Sequence, residues 1–591
     1  MNARRSKTRA DIGRLPLEKL SKGKCALAHK HGPEKTPFVR TATAWRFAIC
    51  LLTSHSACPQ DTTKVDALFA DWDKSNTPGC AVVIVKDGTT VYENGYGMAN
   101  LESPTKITPQ TVFDVASVAK QFTGLGIAML IEQRKLALDT DIRAILPELP
   151  DFGRPIEIQN LLHHTSGLRD WPETLALSGV GPGAPITLDM IIDMVRHQRE
   201  LDFPPGQEFQ YSNTGYSLLA AAVTKVTGQQ FPAWMSEHLF KPLGMEHTFV
   251  ASDPTSIALN RADSYRPETE GQYVRVPSQT AAQGSSSLFT SVDDMGKWLR
   301  NFDSARVAGK DNIQMTWTPG ALQSGEDVAY GFGWGLGSYR AIPAVEHTGR
   351  WAGYVSDVVV VPSKRFATAI LCNAADVPNH DIVLKITGIY LPDVPNSRSS
   401  SPQSAVKTHY SGNPRTWGPF LGTYRLGIGW LLTISREGEH LMAQASNEDK
   451  FEMTPIGKST FFVSAYKAPV EFQSDAGGKV SSLLYRGITA PRIEPQDMTT
   501  SELEKFVGDY WSEELRHAGR IELRDGRLAV ENPLHGWVNL QSIGRNRFDA
   551  DDGRLSVEFV EKSDGSISEA KVSLTRVRNV RFVRVTLPRD P

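Results

Sequence analysis

Ser117-Val118-Ala119-Lys120, followed by Gln121-Phe122-Thr123-Gly124-Leu125-Gly126-Ile127-Ala128-Met129-Leu130-Ile131, is the stretch that decides the fold. The run from Gln121 to Gln133 is apolar nearly all round, as a helix buried inside a large domain is. A serine in its first turn and a lysine three residues on share one helix face. Ser-x-x-Lys recurs at Ser21, Ser103, Ser404, Ser464 and Ser568, but none of these has such a setting. A serine hydroxyl is a weak nucleophile until a neighbouring base takes its proton. Lysine serves as that base only as the neutral amine, which burial and the positive end of a helix dipole both favour. The Ser117 N–H, at the same helix end, can face a developing oxyanion.

Two further motifs follow in order, Tyr211-Ser212-Asn213 and His347-Thr348-Gly349. Around them lie Leu161-Leu162-His163-His164-Thr165-Ser166-Gly167-Leu168, Pro205-Gly206, the segment from Gly284 to Trp298, and Tyr330-Gly331-Phe332-Gly333-Trp334. Together these residues resemble the serine β-lactamase and penicillin-binding-protein superfamily, in the branch with class C β-lactamases, family VIII-type esterases and D-aminopeptidases. The resemblance covers residues 61–395. It implies an α/β (α+β) β-lactamase/transpeptidase-like domain, an antiparallel sheet built from both ends of that stretch with a helical block inserted.

The resemblance also implies roles. Ser117 matches the acylated nucleophile, Lys120 its activating partner, and Tyr211 the proton shuttle to the leaving group and deacylating water. Asn213 matches the amide that holds the substrate. His347, Thr348 and Gly349 match the strand lining the site, with the N–H of Arg350 as second oxyanion donor. The third motif is usually Lys-Thr-Gly. A histidine there, with an ordinary pKa of about 6.5, is mostly neutral at pH 7, so affinity for a substrate carboxylate is expected to fall. The expected activity is therefore a serine hydrolase forming an acyl-enzyme on amides, short peptides or esters, of aminopeptidase, amidase or esterase type. A true β-lactamase or D,D-carboxypeptidase is the second reading, and a non-catalytic sensor on the same fold the third. No cofactor and no metal are implied. His163 and His164 look like a metal pair, yet no third ligand at suitable spacing accompanies them, and a structural place near the site is expected.

At 591 residues the chain exceeds one core, so several domains are expected. A net charge of −2 with 22% charged residues gives no bulk reason to expect nucleic acid or anionic membrane as partner; the partner expected is a small-molecule or short-peptide substrate. The sequence leaves the oligomeric state open. No apolar run is long enough for an integral membrane span. Residues 1–60 read as a leader outside the fold. From Arg40 onward they resemble a secretory signal, with an apolar core from Phe47 to Leu52 and small residues before Cys58. Translation starting at Val39 would make that leader compact. The expected location is periplasmic or extracellular, with a lipoprotein at Cys58 or a cytoplasmic extension as alternatives.

Residues 396–416 read as a Ser/Pro-rich linker. Beyond it, short alternating strands repeat. Phe420-Leu421-Gly422-Thr423-Tyr424 returns as Phe506-Val507-Gly508-Asp509-Tyr510, and Ile456-Gly457 with Phe461 returns as Ile543-Gly544 with Phe548, at offsets of about 86 to 88 residues. Two all-β, lipocalin-like barrels are predicted, at 417–498 and 499–591. They are expected to govern access to Ser117 without adding catalytic groups. In the resembled fold the first and last strands of the sheet are antiparallel neighbours, which would bring Cys80 near Cys372. An exported protein permits a disulfide there; two separate buried thiols are the alternative.

Overall fold

The structure, a computed structural model, describes residues 59–394 and 410–586, apart from 182, 270, 411, 447–448 and 465–467. Nearly all of the leader with Cys58, most of the 396–416 linker, and Ala465 to Lys467 of the Ser464 motif lie outside the described residues.

The unbroken run Cys80-Ala81-Val82-Val83-Ile84-Val85 forms β1 (Cys80–Lys86), buried until its last residue. Such a run marks a strand covered on both faces. It turns through Asp87-Gly88, both at positive φ, into β2 (Thr89–Tyr96). This is the two-residue hairpin that β-branched runs flanking Asp-Gly predict. The chain then leaves the sheet for a mostly helical block holding α1 (Ala119–Glu132), α2 (Asn213–Thr227) and α3 (Val292–Ser304). It returns as β3 (Gly335–Tyr339), β4 (Ile342–Trp351), β5 (Tyr354–Val361) and β6 (Phe366–Cys372). The sheet order is β3-β4-β5-β6-β1-β2, antiparallel throughout. β3 was not anticipated from the sequence. Its glycines give it little strand propensity, and its pairing with β4 sets it. One face of the sheet packs Val83, Val85 and Val358 with Phe122, Leu125 and Trp298 of the helical block. The other packs Val82, Ile84 and Ile370 with Ile382 and Ile386 of α4 (Asn379–Tyr390).

Because β6 returns beside β1, Cys80 pairs with Cys372 in the strand register, and their sulfurs are bonded. The sequence left this open against two separate thiols. The bond closes a loop with a sequence separation of 292 residues. Loops of this length restrict the unfolded chain strongly, and removing such a bond costs about 2 to 4 kcal/mol. Alkylation of unfolded protein before and after reduction, mapped by peptide, should find these two cysteines blocked until reductant is added. Two free thiols there, in protein taken from an oxidising compartment, would refute the pairing.

The repeat near the C-terminus forms two closed eight-stranded antiparallel barrels. The first runs from Gly422–Gly427 to Ile488–Ile493 and the second from Gly508–Ser512 to Val577–Val585. Local bonds repeat as well. Tyr424 donates to the Phe420 carbonyl at 2.9 Å, and Tyr510 donates to the Phe506 carbonyl at 2.7 Å. Gly422 and Gly508 hold φ of 138° and 156°, a conformation that favours glycine. Arg425 clasps Asp549 through two nitrogens, at 2.7 and 3.0 Å, tying the first barrel to the second.

The second barrel is fastened to the domain of the six-stranded sheet through its core and through buried charge. Leu177, from the helical block, joins the apolar core of the barrel. Arg169, 1% exposed, lies 3.4 Å from Asp202, pairs with Glu514 of the barrel, and donates to the Arg578 carbonyl. Arg578 in turn donates its backbone N–H to Asp202 at 2.8 Å. The barrels are not a separately tethered cover.

Candidate active site

Ser117 lies in a single 3-10 turn, Ala116–Val118, leading into α1. The sequence placed it in the first turn of the α-helix itself. Ala116 sits at φ 47°, a left-handed conformation costing about 1 to 3 kcal/mol that surrounding contacts must hold. Asp114 does so by accepting the Ala116 N–H at 2.9 Å, and Ser356 by donating to the Val115 carbonyl at 2.8 Å. The bend turns Ser117 towards a cavity of about 550 Å³, also lined by Tyr211, Asn213, His347, Thr348 and Arg350.

Lys120 is fully buried, one helical turn on. Its Nζ lies 2.7 Å from Asn213 Oδ1, 2.8 Å from the Ser285 carbonyl and 3.0 Å from Ser117 Oγ. Two of these three partners can only accept. A neutral amine has two N–H donors and one lone pair. In that form the donors would satisfy the two carbonyl oxygens and leave the lone pair facing the serine hydroxyl; as the ammonium, the third N–H donates to Ser117 Oγ. Burial pushes the Lys120 pKa well below the ordinary lysine value, opposed by Asp170 and reinforced by Arg576.

Asn213 is itself held. Its backbone N–H donates to Asp170 at 2.6 Å and its side-chain amide at 2.9 Å, so Asp170 orients the amide that orients Lys120. The expected role of Asn213 was to hold substrate. In the structure both ends of its amide engage the protein. Asp170 is buried and burial raises its carboxyl pKa, with Arg576 the chief opposing charge.

Tyr211 brings its hydroxyl into the same pocket, buried, with no protein partner in good hydrogen-bond geometry. Burial raises its pKa and proximity to Ser117 partly offsets this, so the hydroxyl keeps its proton at neutral pH. His164 packs against its ring, tilted by 35° with 4.3 Å between centroids, and accepts the Ser212 N–H at 3.1 Å. His163 turns its Nδ1 to the Tyr330 carbonyl at 2.8 Å. The two histidines thus face separate partners through their Nδ1 atoms.

His347 lies on β4. Its Nδ1 donates to the Thr348 carbonyl at 2.7 Å, leaving Nε2 to accept the Tyr330 hydroxyl at 2.9 Å. Both ring nitrogens are therefore engaged. Burial, with Lys120 adding to it, pushes its pKa down to about 3, so the ring is neutral across the working pH range. Next to it, Gly349 passes so near Ser117 that a β-carbon there would lie 2.3 Å from the Val115 carbonyl. Only glycine fits. β3 begins opposite Glu346, so the β4 backbone from His347 to Trp351 has no β3 partner on that side. The Arg350 side chain donates through one guanidinium nitrogen to the Ala375 carbonyl at 2.7 Å.

One further group comes from the far end of the chain. Arg576, in the two-residue turn between Ile567–Leu574 and Val577–Val585, lines the cavity. Its guanidinium lies 3.2 Å from Asp170 and 4.9 Å above the Tyr211 ring centre. The sequence reading gave the barrels no side chain at the site, and the structure corrects this. It also missed Asp170, Ser285 and Tyr330. Asp170 stands two residues past the quoted His164 segment, and Ser285 and Tyr330 lie inside the other quoted segments, so neighbourhood to those segments was a usable signal. Arg576 has no such neighbour.

Comparison with known proteins agrees with this architecture. Residues 65–385 match the protein family described as Beta-lactamase. Penicillin-binding protein 4* of Bacillus subtilis is 25% identical over 444 residues, covering 71% of this chain and 96% of that protein. A D-aminopeptidase of Gluconobacter oxydans is 28% identical over 344 residues, covering 56% of this chain and 63% of its own length, just short of two thirds. The octameric penicillin-binding protein homologue of Pyrococcus abyssi superposes with a TM-score of 0.52 at 21% identity. That match covers 80% of this chain and 97% of the other, and it bears on the fold alone.

Proposed function

The chain belongs to the beta-lactamase family, and on that premise we propose that it hydrolyses amide, peptide or ester bonds through an acyl-enzyme on Ser117. The observation that carries the reading is the coordination of Lys120. Two acceptors take its N–H groups, and the remaining position faces Ser117 Oγ at 3.0 Å. Lys120 removes the hydroxyl proton as Oγ attacks the carbonyl carbon. The N–H groups of Ser117 and Arg350 face the oxyanion that forms. Tyr211, still protonated, donates to the departing amine or alkoxide. Water then attacks the acyl carbon with the same groups in reverse order, restoring Ser117.

The names of its relatives, a penicillin-binding protein and a D-aminopeptidase, support substrates with amide bonds. Export to an oxidising compartment fits the Cys80–Cys372 bond. Among the described residues no helix is long and apolar enough to cross a membrane.

A fluorophosphonate probe should label one residue, Ser117, and labelling should vanish in Ser117→Ala. Undiminished labelling in that variant would place the nucleophile elsewhere. The pH profile offers a second check. The base must be neutral, so kcat/KM should rise with pH as Lys120 loses its proton. His347 titrates near pH 3 and adds no limb around pH 6 to 7. An acid limb near pH 6.5 that disappears in His347→Gln would contradict this assignment.

A further inference from the structure

We propose that Arg576, brought into the cavity by the second barrel, binds an anionic group of the substrate, so that the preferred amides or esters carry a carboxylate beside the scissile bond. The inference rests on the hydrolase reading above and adds to it the charge of the substrate.

The first ground is how firmly the residue is held. Its backbone N–H donates to Glu173 at 2.7 Å, and its carbonyl accepts from the Asp170 N–H and from Gln210, each at 3.2 Å. All three partners belong to the catalytic domain. A surface arginine on a free hairpin tip has no such anchoring. This one is fixed relative to Tyr211 before any substrate arrives, which lowers the ordering cost of binding.

The second ground is the balance of charge at the cavity. Burial disfavours the charged form of Lys120, His347 is neutral with both nitrogens engaged, and Arg350, which also lines the cavity, gives one N–H to the Ala375 carbonyl. Asp170 is buried, with its carboxylate spent on Asn213 and Arg576. Glu173 gives one oxygen to the Arg576 backbone, and burial raises its carboxyl pKa. The Arg576 side chain, by contrast, is 42% exposed. Among the described residues its guanidinium meets a side-chain acceptor only through NH1, at Asp170. A guanidinium has five N–H donors in a planar fork, and the remaining ones suit a carboxylate. Peptides and amino-acid derivatives present that anion at their own ends. The positive charge that a lysine would bring in place of His347 is thus supplied from another domain.

The test uses the full chain and two matched pairs of esters. One pair carries the charge on the acyl side, 4-nitrophenyl hydrogen glutarate against 4-nitrophenyl pentanoate. The other carries it on the leaving group, 5-acetoxy-2-nitrobenzoate against 4-nitrophenyl acetate. The quantity read is the anionic-to-neutral ratio of kcat/KM, which cancels any general loss from disturbing Asp170. In Arg576→Gln and Arg576→Met this ratio should fall roughly 10- to 100-fold in at least one pair. Arg576→Lys should keep it within a few-fold of wild type. A shift of less than twofold in both pairs, with Ser117 still labelled by the fluorophosphonate, overturns the inference and leaves the hydrolase reading standing. If the neutralised variants fail to fold, the wild-type ratio decides, divided by the same ratio for hydroxide-catalysed hydrolysis. A quotient well above one in either pair supports the inference, and one at or below unity in both overturns it. Wild-type protein that neither labels nor turns over any ester removes the hydrolase reading, and this inference with it.

Discussion

Lys120→Ala should lower kcat/KM by about 10² to 10⁴, the range a positioned general base contributes. The variant removes the group whose lone pair faces Ser117 and leaves Asn213 Oδ1 and the Ser285 carbonyl without their donor. Some of the loss therefore reflects a disturbed site. Tyr211→Phe separates the two effects, since the Tyr211 hydroxyl makes no protein hydrogen bond whose loss would disturb packing. Its loss should be of similar order and fall most heavily on substrates with poor leaving groups, which need protonation. Stopped-flow acylation with an activated ester and with the matching amide would read the difference. Near-wild-type acylation in Lys120→Ala would mean that another group takes the serine proton.

Arg169→Ala should destabilise the protein by about 3 to 5 kcal/mol, because it strands two buried carboxylates, Asp202 and Glu514. The pH dependence gives this mechanism a signature. Burial already pushes Asp202 up to about 6 with Arg169 present, and raises Glu514 as well. A carboxyl whose folded pKa exceeds its unfolded value stabilises the fold at low pH, and that stabilisation is lost as pH rises through the folded pKa. Without the arginine both folded pKa values rise further. The variant should therefore recover part of its deficit between pH 7 and pH 5, as the stranded carboxyls take up protons. Urea denaturation at the two pH values would show it. A deficit below 1 kcal/mol, or one that does not change with pH, would sink the account. The same interface revises what a truncation near Pro395 should do. The sequence suggested barrels that add no catalytic groups, which implies that small probes would still label Ser117 once they were removed, provided the rest stays folded. The structure shows that this cut would expose Leu177 and leave Arg169, Asp202 and Asp170 without their barrel partners, so reduced stability and reduced labelling are expected.

The parts legible in the sequence were those whose chemistry demands fixed local spacing. Ser117 and Lys120 share one turn, so three residues of separation carry the information, and the structure sets them 3.0 Å apart. The β1–β2 hairpin was legible because Asp87-Gly88 between β-branched runs has few other uses. The barrels were legible because they repeat. Asp170 was not, since a single aspartate beside a tryptophan has no pattern of its own until Asn213 and Lys120 fold against it. Arg576 was further out of reach. It is one of 64 basic residues and lies 406 positions from its partner Asp170. Its place depends on how a barrel docks, and docking depends on surface shape and buried pairs that no short window contains. The role of His347 was read as a loss of positive charge. In the structure burial keeps the ring neutral, and Arg576 brings a cation to the cavity from the second barrel.

The two-residue turn that presents Arg576 has an evolutionary consequence. Residues around Lys120 and Asp170 are locked into one arrangement by shared hydrogen bonds, and an exchange there breaks several at once. A turn position between two paired strands is freer, because strand register survives a change of side chain at the tip. Selection can therefore alter the charge shown to the cavity by exchanging one side chain, with the backbone anchors to Glu173, Asp170 and Gln210 kept and only the ion pair to Asp170 disturbed. Chimeras that exchange this turn between related chains should pass on preference while the reaction stays the same.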